Sequence, residues 1–295
     1  MRFVLLISAL VGFVPAASAD DPKLSVRIER NIPYATAGGE KLMLDLAAPE
    51  AGGPYPAVLL LHGGAWSMGG RKDLSVGAKK GSPSLIEQVA AQGYVVASAS
   101  YRLAPKHKFP AQIEDARTAV RFLRANAKKY NLNPDKIAAG GFSAGGHLSL
   151  LLGLADKDSF KNDEYPEQSS RVTCVVDFFG PADLSLYAAS EGIEDTYMVP
   201  FLGKACKTDR SVYAKASPIE YVTKDDPPVL ILHGTIDFVV PIVHSERLQK
   251  KLQDVGVKCE MIAVRGEGHG WDGKPLEKSV QDALKFLDEH LKGKK

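Results

Sequence analysis

Residues 140–154 read GGFSAGGHLSLLLGL, in which Ser143 is the one hydroxyl between the glycines at 140, 141, 145 and 146. Glycine costs roughly 0.5–1 kcal/mol relative to alanine inside regular structure, so such a cluster marks backbone geometry that a side chain would block. Gly141-Phe142-Ser143-Ala144-Gly145 fits the pattern G-x-S-x-G, between an apolar strand-like run at 136–140 and a leucine-rich helical run. A sharp strand-to-helix turn there needs small residues at Gly141 and Gly145. It projects the serine alone, near a helix N-terminus that favours developing negative charge. The chemistry this suits is nucleophilic attack; the competing reading is a plain glycine turn.

A serine hydroxyl is a poor nucleophile unless a base takes its proton and a third group orients that base. Of seven histidines, His269 lies in GEGHGWDG, a glycine-rich loop between the last strand-like run and the last helical pattern, where a base could reach inward. His62 and His233 sit at strand ends and read as loop-shaping residues. His147 is too close to Ser143 along one helix to approach its hydroxyl suitably, and His107, His244 and His290 lie in polar segments and read as solvated. For the acid, Asp237 in LHGTIDFVVP follows the run 229–232 and gives the chain order serine, aspartate, histidine. Asp183 in FFGPADLS is the competitor; Asp272 and Glu267 flank His269 too closely in sequence. Acyl transfer also needs backbone donors aimed at an oxyanion. LLLHGGAWSMGG supplies them at Gly63, Gly64 and Ala65. Either Gly64 with Ala65 or Gly63 with Gly64 would join the N–H of Ala144.

These loops need a scaffold that brings them together. Short β-like runs recur at 24–32, 41–46, 57–61, 94–98, 136–140, 172–178, 229–232 and 258–264, the later ones separated by helical patterns. That alternation predicts an α/β fold, a mostly parallel eight-stranded sheet with helices on both faces. Three helices are legible by spacing: Ile113, Ala116, Val120, Leu123 and Ala127 behind Pro110; Leu248, Leu252 and Val255 before Gly256; and Leu276, Val280, Leu284, Leu287 and Leu291. The stretch 183–227 is longer than an ordinary crossover and rich in tyrosine. A small insertion over the carboxyl edge of the sheet is expected there.

The 295 residues carry a formal net charge of +2. Arg2, an apolar run at 3–14 and Ala17-Ser18-Ala19 have the layout of a signal peptide, residues 1–19, cleaved before Asp20. The run is shorter than the roughly 20 residues a membrane span needs. A secreted or periplasmic domain of residues 20–295 is therefore expected, with no membrane partner after cleavage. Removing Arg2 leaves a charge of +1, which argues against nucleic acid or an anionic membrane as partner on bulk charge. Cys174, Cys206 and Cys259 are too few for a disulfide framework, and Cys174, in an apolar run, reads as a small buried hydrophobe. The Lys-Gly-Lys-Lys end at 292–295 reads as a frayed tail.

With LHGGAW, YRLAPKHKFPAQIEDARTAVRFLRAN, GFSAGGHLSLLLG, FFGPADL, ASPIEYV, DDPPVLILHGTIDFVVP and GEGHGW, the chain from about residue 34 to 291 resembles α/β-hydrolase esterases. The similarity is to hormone-sensitive-lipase-like carboxylesterases and, more closely, to bacterial bifunctional carbohydrate acetyl/feruloyl esterases. It implies a serine esterase without metal or cofactor, with Ser143 as nucleophile, His269 as base and Asp237 as orienting acid. Its substrates would be short acyl esters, acetyl or hydroxycinnamoyl groups on a carbohydrate. A lipase-like esterase on simple alkyl esters is the alternative. A peptidase of the prolyl-oligopeptidase type would need room for a propeller domain, and a non-catalytic binding protein would lack part of the triad. Ala65 stands where the lipase-like branch usually has a third glycine. Backbone donation survives that change, and bulky tertiary-alcohol esters become less expected. The resemblance also implies that Trp66 and the insertion shape the acyl or alcohol pocket, core packing being the other reading of Trp66.

Overall fold

The computed structural model describes residues 24–293 apart from 76, 78–80, 157–158, 161–162 and 190. The expected signal peptide and the last two residues of the expected tail lie outside them. Every β-like run forms a strand: β1 (Val26–Ala37), β2 (Glu40–Pro49), β3 (Tyr55–Leu61), β4 (Val95–Ala99), β5 (Leu132–Phe142), β6 (Val175–Phe178), β7 (Val229–Gly234) and β8 (Cys259–Val264). They build one sheet in the order β1-β2-β4-β3-β5-β6-β7-β8. β2 runs antiparallel to both neighbours, and every pair from β4 to β8 is parallel.

Apolar residues fill both faces of β3, as a strand covered on two sides requires. Leu59 and Leu61 join one core with Ile113, Val120 and Leu123 of α2 (Ala111–Ala125), Leu148 and Leu151 of α3 (Ala144–Leu154), and Leu248 and Leu252 of α4 (Val243–Asp254). Val58 and Leu60 join the other with Ile86 and Val89 of α1 (Leu85–Ala90) and Leu276, Val280 and Leu287 of α5 (Gly273–Leu287). The three helices expected from spacing are α2, α4 and α5. Helix α4 closes at Gly256, whose φ of +83° lets Val257 N–H reach back to the Leu252 carbonyl at 2.9 Å.

Of three histidines expected to be solvated, His244 is buried and His107 and His290 are half-buried. His244 lies on the buried face of α4, His107 bonds Glu40 at 3.0 Å, and His290 packs against the Phe286 ring at 4.5 Å. Each sits in a polar stretch of sequence, but the helix or loop turns that one residue inward.

The register decides where the loops emerge. Leu61 pairs with Gly141, Phe142 with Phe178, and Phe178 with Leu232, so the carboxyl ends of β3, β5, β6 and β7 align along one edge. Between β6 and β7 the chain forms short helical pieces, among them Leu184–Ala189, Glu194–Met198, Val199–Leu202 and Arg210–Ala216. Buried Glu194 ties these pieces together, accepting from Cys206 N–H at 2.6 Å and the Tyr213 hydroxyl at 2.7 Å. Phe201 from this segment stacks on Trp66 beyond β3, which sets the segment over that edge. All three cysteines are free thiols, with Cys174 and Cys206 buried.

Candidate active site

Ser143 links β5 to α3 with φ +54° and ψ −117°, a left-handed conformation that residues with a side chain adopt rarely and at a cost. The glycines around it permit the bend: a Cβ on Gly145 would run into the Leu61 and His62 carbonyls, and one on Gly141 into the Gly145 backbone. The Ser143 N–H donates to the Phe178 carbonyl at 2.8 Å, fastening the turn to β6.

The hydroxyl meets an imidazole and then a carboxylate. His269 Nε2 lies 2.9 Å from Ser143 Oγ, and His269 Nδ1 lies 2.8 Å from Asp237 Oδ2. An ionised carboxylate only accepts, so Nδ1 carries the proton and Nε2 offers its lone pair to the serine. Asp237 is itself pinned: its Oδ1 accepts from Val239 N–H at 2.8 Å and Val240 N–H at 2.9 Å. Burial alone would raise its pKa, but hydrogen bonds with His233 and His269, the His269 charge and the Val240 N–H outweigh it and hold the carboxyl well below the usual range. Ile236 N–H bonds the Glu267 carbonyl at 3.0 Å and Gly266 N–H bonds Thr235 Oγ at 2.9 Å, so the acid loop and the histidine loop are fixed to each other.

The other sequence candidates fall elsewhere. Asp183 is engaged by Arg247 at 2.6 Å and by the Ser185 hydroxyl at 2.5 Å. Asp272 is exposed ahead of α5, and Glu267 contributes its backbone carbonyl to the acid loop. His62 and His233 act in their loops as expected. Burial lowers His62 to about 4, and its Nδ1–H donates to the Gly63 carbonyl at 2.7 Å while its ring stacks on Tyr101. His233 Nδ1 bonds Ser245 Oγ at 2.6 Å, and its Nε2 bonds the Val240 carbonyl at 2.7 Å beside Asp237.

Among the described residues, the N–H groups of Gly63, Gly64, Ala65 and Ala144 donate to no protein acceptor. They are the four donors named from sequence, and they remain available to a bound anion. Trp66 is only 2% exposed; its ring stacks on Phe201 at 4.1 Å. That is a packing position, where the resemblance implied a pocket wall. Sequence reasoning missed Phe179, whose ring edge meets His269 with centroids 5.0 Å apart. It follows β6 in FFGPADL, and its position one residue past a strand on the loop-bearing edge was the available signal.

Below the serine turn lies Asp177, in β6. Its Oδ1 accepts from Gly180 N–H at 2.9 Å, and its Oδ2 has no partner among the described residues. Burial pushes the carboxyl up to about 7, against smaller lowering by His233 and the Gly180 N–H. The unfolded chain gives up that proton near 3.9, so between about pH 4 and 7 the unfolded state binds fewer protons and folding stability falls as pH rises, on the order of 4 kcal/mol in all. Urea melts of the wild type and Asp177→Asn should therefore show the wild type losing ground to the variant across that window. A gap independent of pH would mean the carboxyl is not held neutral.

Among models of known families, BD-FAE matches residues 44–252, which takes in the loop after β3, the serine turn and the aspartate loop. The chain belongs to the BD-FAE family. Its fold and family are those of α/β-hydrolase esterases. Esterase LipC of Mycobacterium tuberculosis is 36% identical over 226 residues, which cover 74% of this chain and 54% of that protein. The chain spans about half the length of the curated relatives it matches. Two solved structures are similar along most of the chain. A truncated carbohydrate esterase from gut microbiota is 29% identical with a TM-score of 0.74, covering 92% of this chain and 98% of that one. A bifunctional GH43-CE protein of Bacteroides eggerthii is 29% identical with a TM-score of 0.75, covering 88% of this chain and 38% of that one.

Proposed function

We propose that this BD-FAE chain is a serine carboxylesterase acting on short acyl esters of carbohydrates. The observation that carries the reading is the continuous chain of hydrogen bonds from Ser143 through His269 to Asp237. In this reading Ser143 Oγ attacks the ester carbonyl as His269 Nε2 takes its proton. The oxyanion is met by N–H groups of the loop at 63–65 and of Ala144, and His269 returns the proton to the leaving alcohol. Water, activated by the same imidazole, then releases the acid and restores the serine. Asp237 holds the ring in the required tautomer and stabilises its charged form.

Acetyl and hydroxycinnamoyl groups are the favoured acyl parts. The carbohydrate esterases among the similar structures support this choice, as does the layout of residues 1–19, which points to an exported enzyme meeting extracellular polymers. A panel of acetylated xylan, methyl ferulate, p-nitrophenyl esters of graded length and a peptide amide should give turnover on the first two and on the shortest p-nitrophenyl esters. Highest kcat/KM on long-chain esters would favour the lipase-like reading, and cleavage of the amide a peptidase. For export, intact mass of protein recovered from the periplasm or medium should correspond to a chain starting at Asp20; an uncleaved Met1 form there would overturn that part.

A further inference from the structure

Three consecutive residues of the loop after β3 have positive φ: Gly64 at +114°, Ala65 at +49° and Trp66 at +58°. Two of them carry side chains, so this conformation persists only where its surroundings hold it. Much of the hold runs through the Trp66 indole. It stacks on Phe201 at 4.1 Å with 7° between the rings, and its Nε1–H donates to His147 Nδ1 at 3.1 Å. Because an indole N–H only donates, His147 Nδ1 must be the bare nitrogen, and its Nε2–H donates to the Ala216 carbonyl at 2.7 Å. His147 is fully buried in α3, one turn beyond Ser143, with its own N–H on the Ser143 carbonyl at 2.9 Å.

The indole therefore joins two pieces of backbone. One carries the N–H groups of Gly63, Gly64 and Ala65; the other begins with the N–H of Ala144. We propose that the Trp66–His147 hydrogen bond sets the spacing between these two groups of oxyanion donors, making both side chains positioning residues for transition-state stabilisation. The inference rests on the esterase reading above. Trp66 would then act from behind the loop, without touching substrate. Removing the acceptor would leave a buried indole N–H unsatisfied, and the strained loop would relax toward another partner.

Three variants test this on p-nitrophenyl acetate. Trp66→Phe keeps a ring on Phe201 and removes the donor, His147→Leu removes the acceptor, and His147→Asn keeps an acceptor, Oδ1, close to where Nδ1 stood. Trp66→Phe and His147→Leu should each lose about 10- to 100-fold in kcat with KM within about threefold, less than the cost of deleting an oxyanion donor outright. The double variant should be no worse than the poorer single one, and His147→Asn should recover most of the loss. Phosphonylation by a small p-nitrophenyl phosphonate, which also places developing charge on the donors, should slow in parallel. Trp66→Phe and His147→Asn carry the test if His147→Leu does not fold. An active wild type with unchanged kcat in Trp66→Phe, or a loss confined to KM, overturns the inference alone. A wild type without esterase activity, or one insensitive to Ser143→Ala, overturns the esterase reading and this inference with it.

Discussion

Ser143→Ala should lower kcat/KM on p-nitrophenyl acetate by about four to six orders of magnitude, with the protein still folded. The side chain removed is small and faces the imidazole, not the core, so folding has little to lose. The proposed chemistry loses the atom that would form the acyl-enzyme, and no other hydroxyl is bonded to His269 among the described residues. The backbone donors at 63–65 and 144 are untouched, so a residual rate above water is expected. Mass spectrometry gives an independent readout: a phosphonate should add once to the wild type and not to the variant. Retention of more than a tenth of the activity would remove Ser143 from the mechanism.

Asp237→Asn should cost about three to four orders of magnitude in kcat while leaving KM nearly unchanged. The amide can still take the two N–H bonds from Val239 and Val240 through its oxygen. It then turns its NH2 toward His269, which forces the proton from Nδ1 to Nε2 and points a donor at Ser143 where an acceptor is needed. In the wild type the depressed pKa of Asp237 keeps the carboxylate ionised throughout any ordinary assay. The charge that orients the His269 ring is therefore present across that range. The stability that Asp237 contributes is complete above the unfolded value of about 3.9 and disappears only as pH falls through its lower folded value. A kcat within tenfold of wild type in Asp237→Asn would remove Asp237 from the relay.

Much of this was readable from residue order because the local patterns are strong. The eight apolar runs became the eight strands, although β5 extends from 132 to 142 where only 136–140 was apolar enough to recognise. The serine turn was legible because glycine there has a steric reason. His244 shows why polar context misleads: with Leu248 and Leu252 it repeats every four residues on the inner face of α4, a spacing that was available in the sequence. Helix α1 was overlooked despite Ser84 and Glu87, whose S-x-x-E pattern forms a capping box. Other features had no local signature at all. Asp45 gathers Arg71 at 2.8 Å and Ser75 at 2.6 Å across the edge of the sheet, and Asp115 binds the Arg102 side chain at 2.7 Å. Such pairs depend on how loops and helices settle against the sheet. The same holds for Trp66, whose partners lie more than eighty residues further along the chain.

The segment between β6 and β7 departs and returns through two strands that are immediate neighbours in register. Its junctions are thus a natural seam for building chimeras, since a foreign stretch grafted between Gly180 and Val229 would begin and finish beside a ladder already in place, with Phe179 kept against His269. Two keys must travel with any such graft: an aromatic ring in the place of Phe201 and a carbonyl in the place of Ala216. Libraries that vary the remainder while preserving those two could alter selectivity without disturbing the machinery underneath.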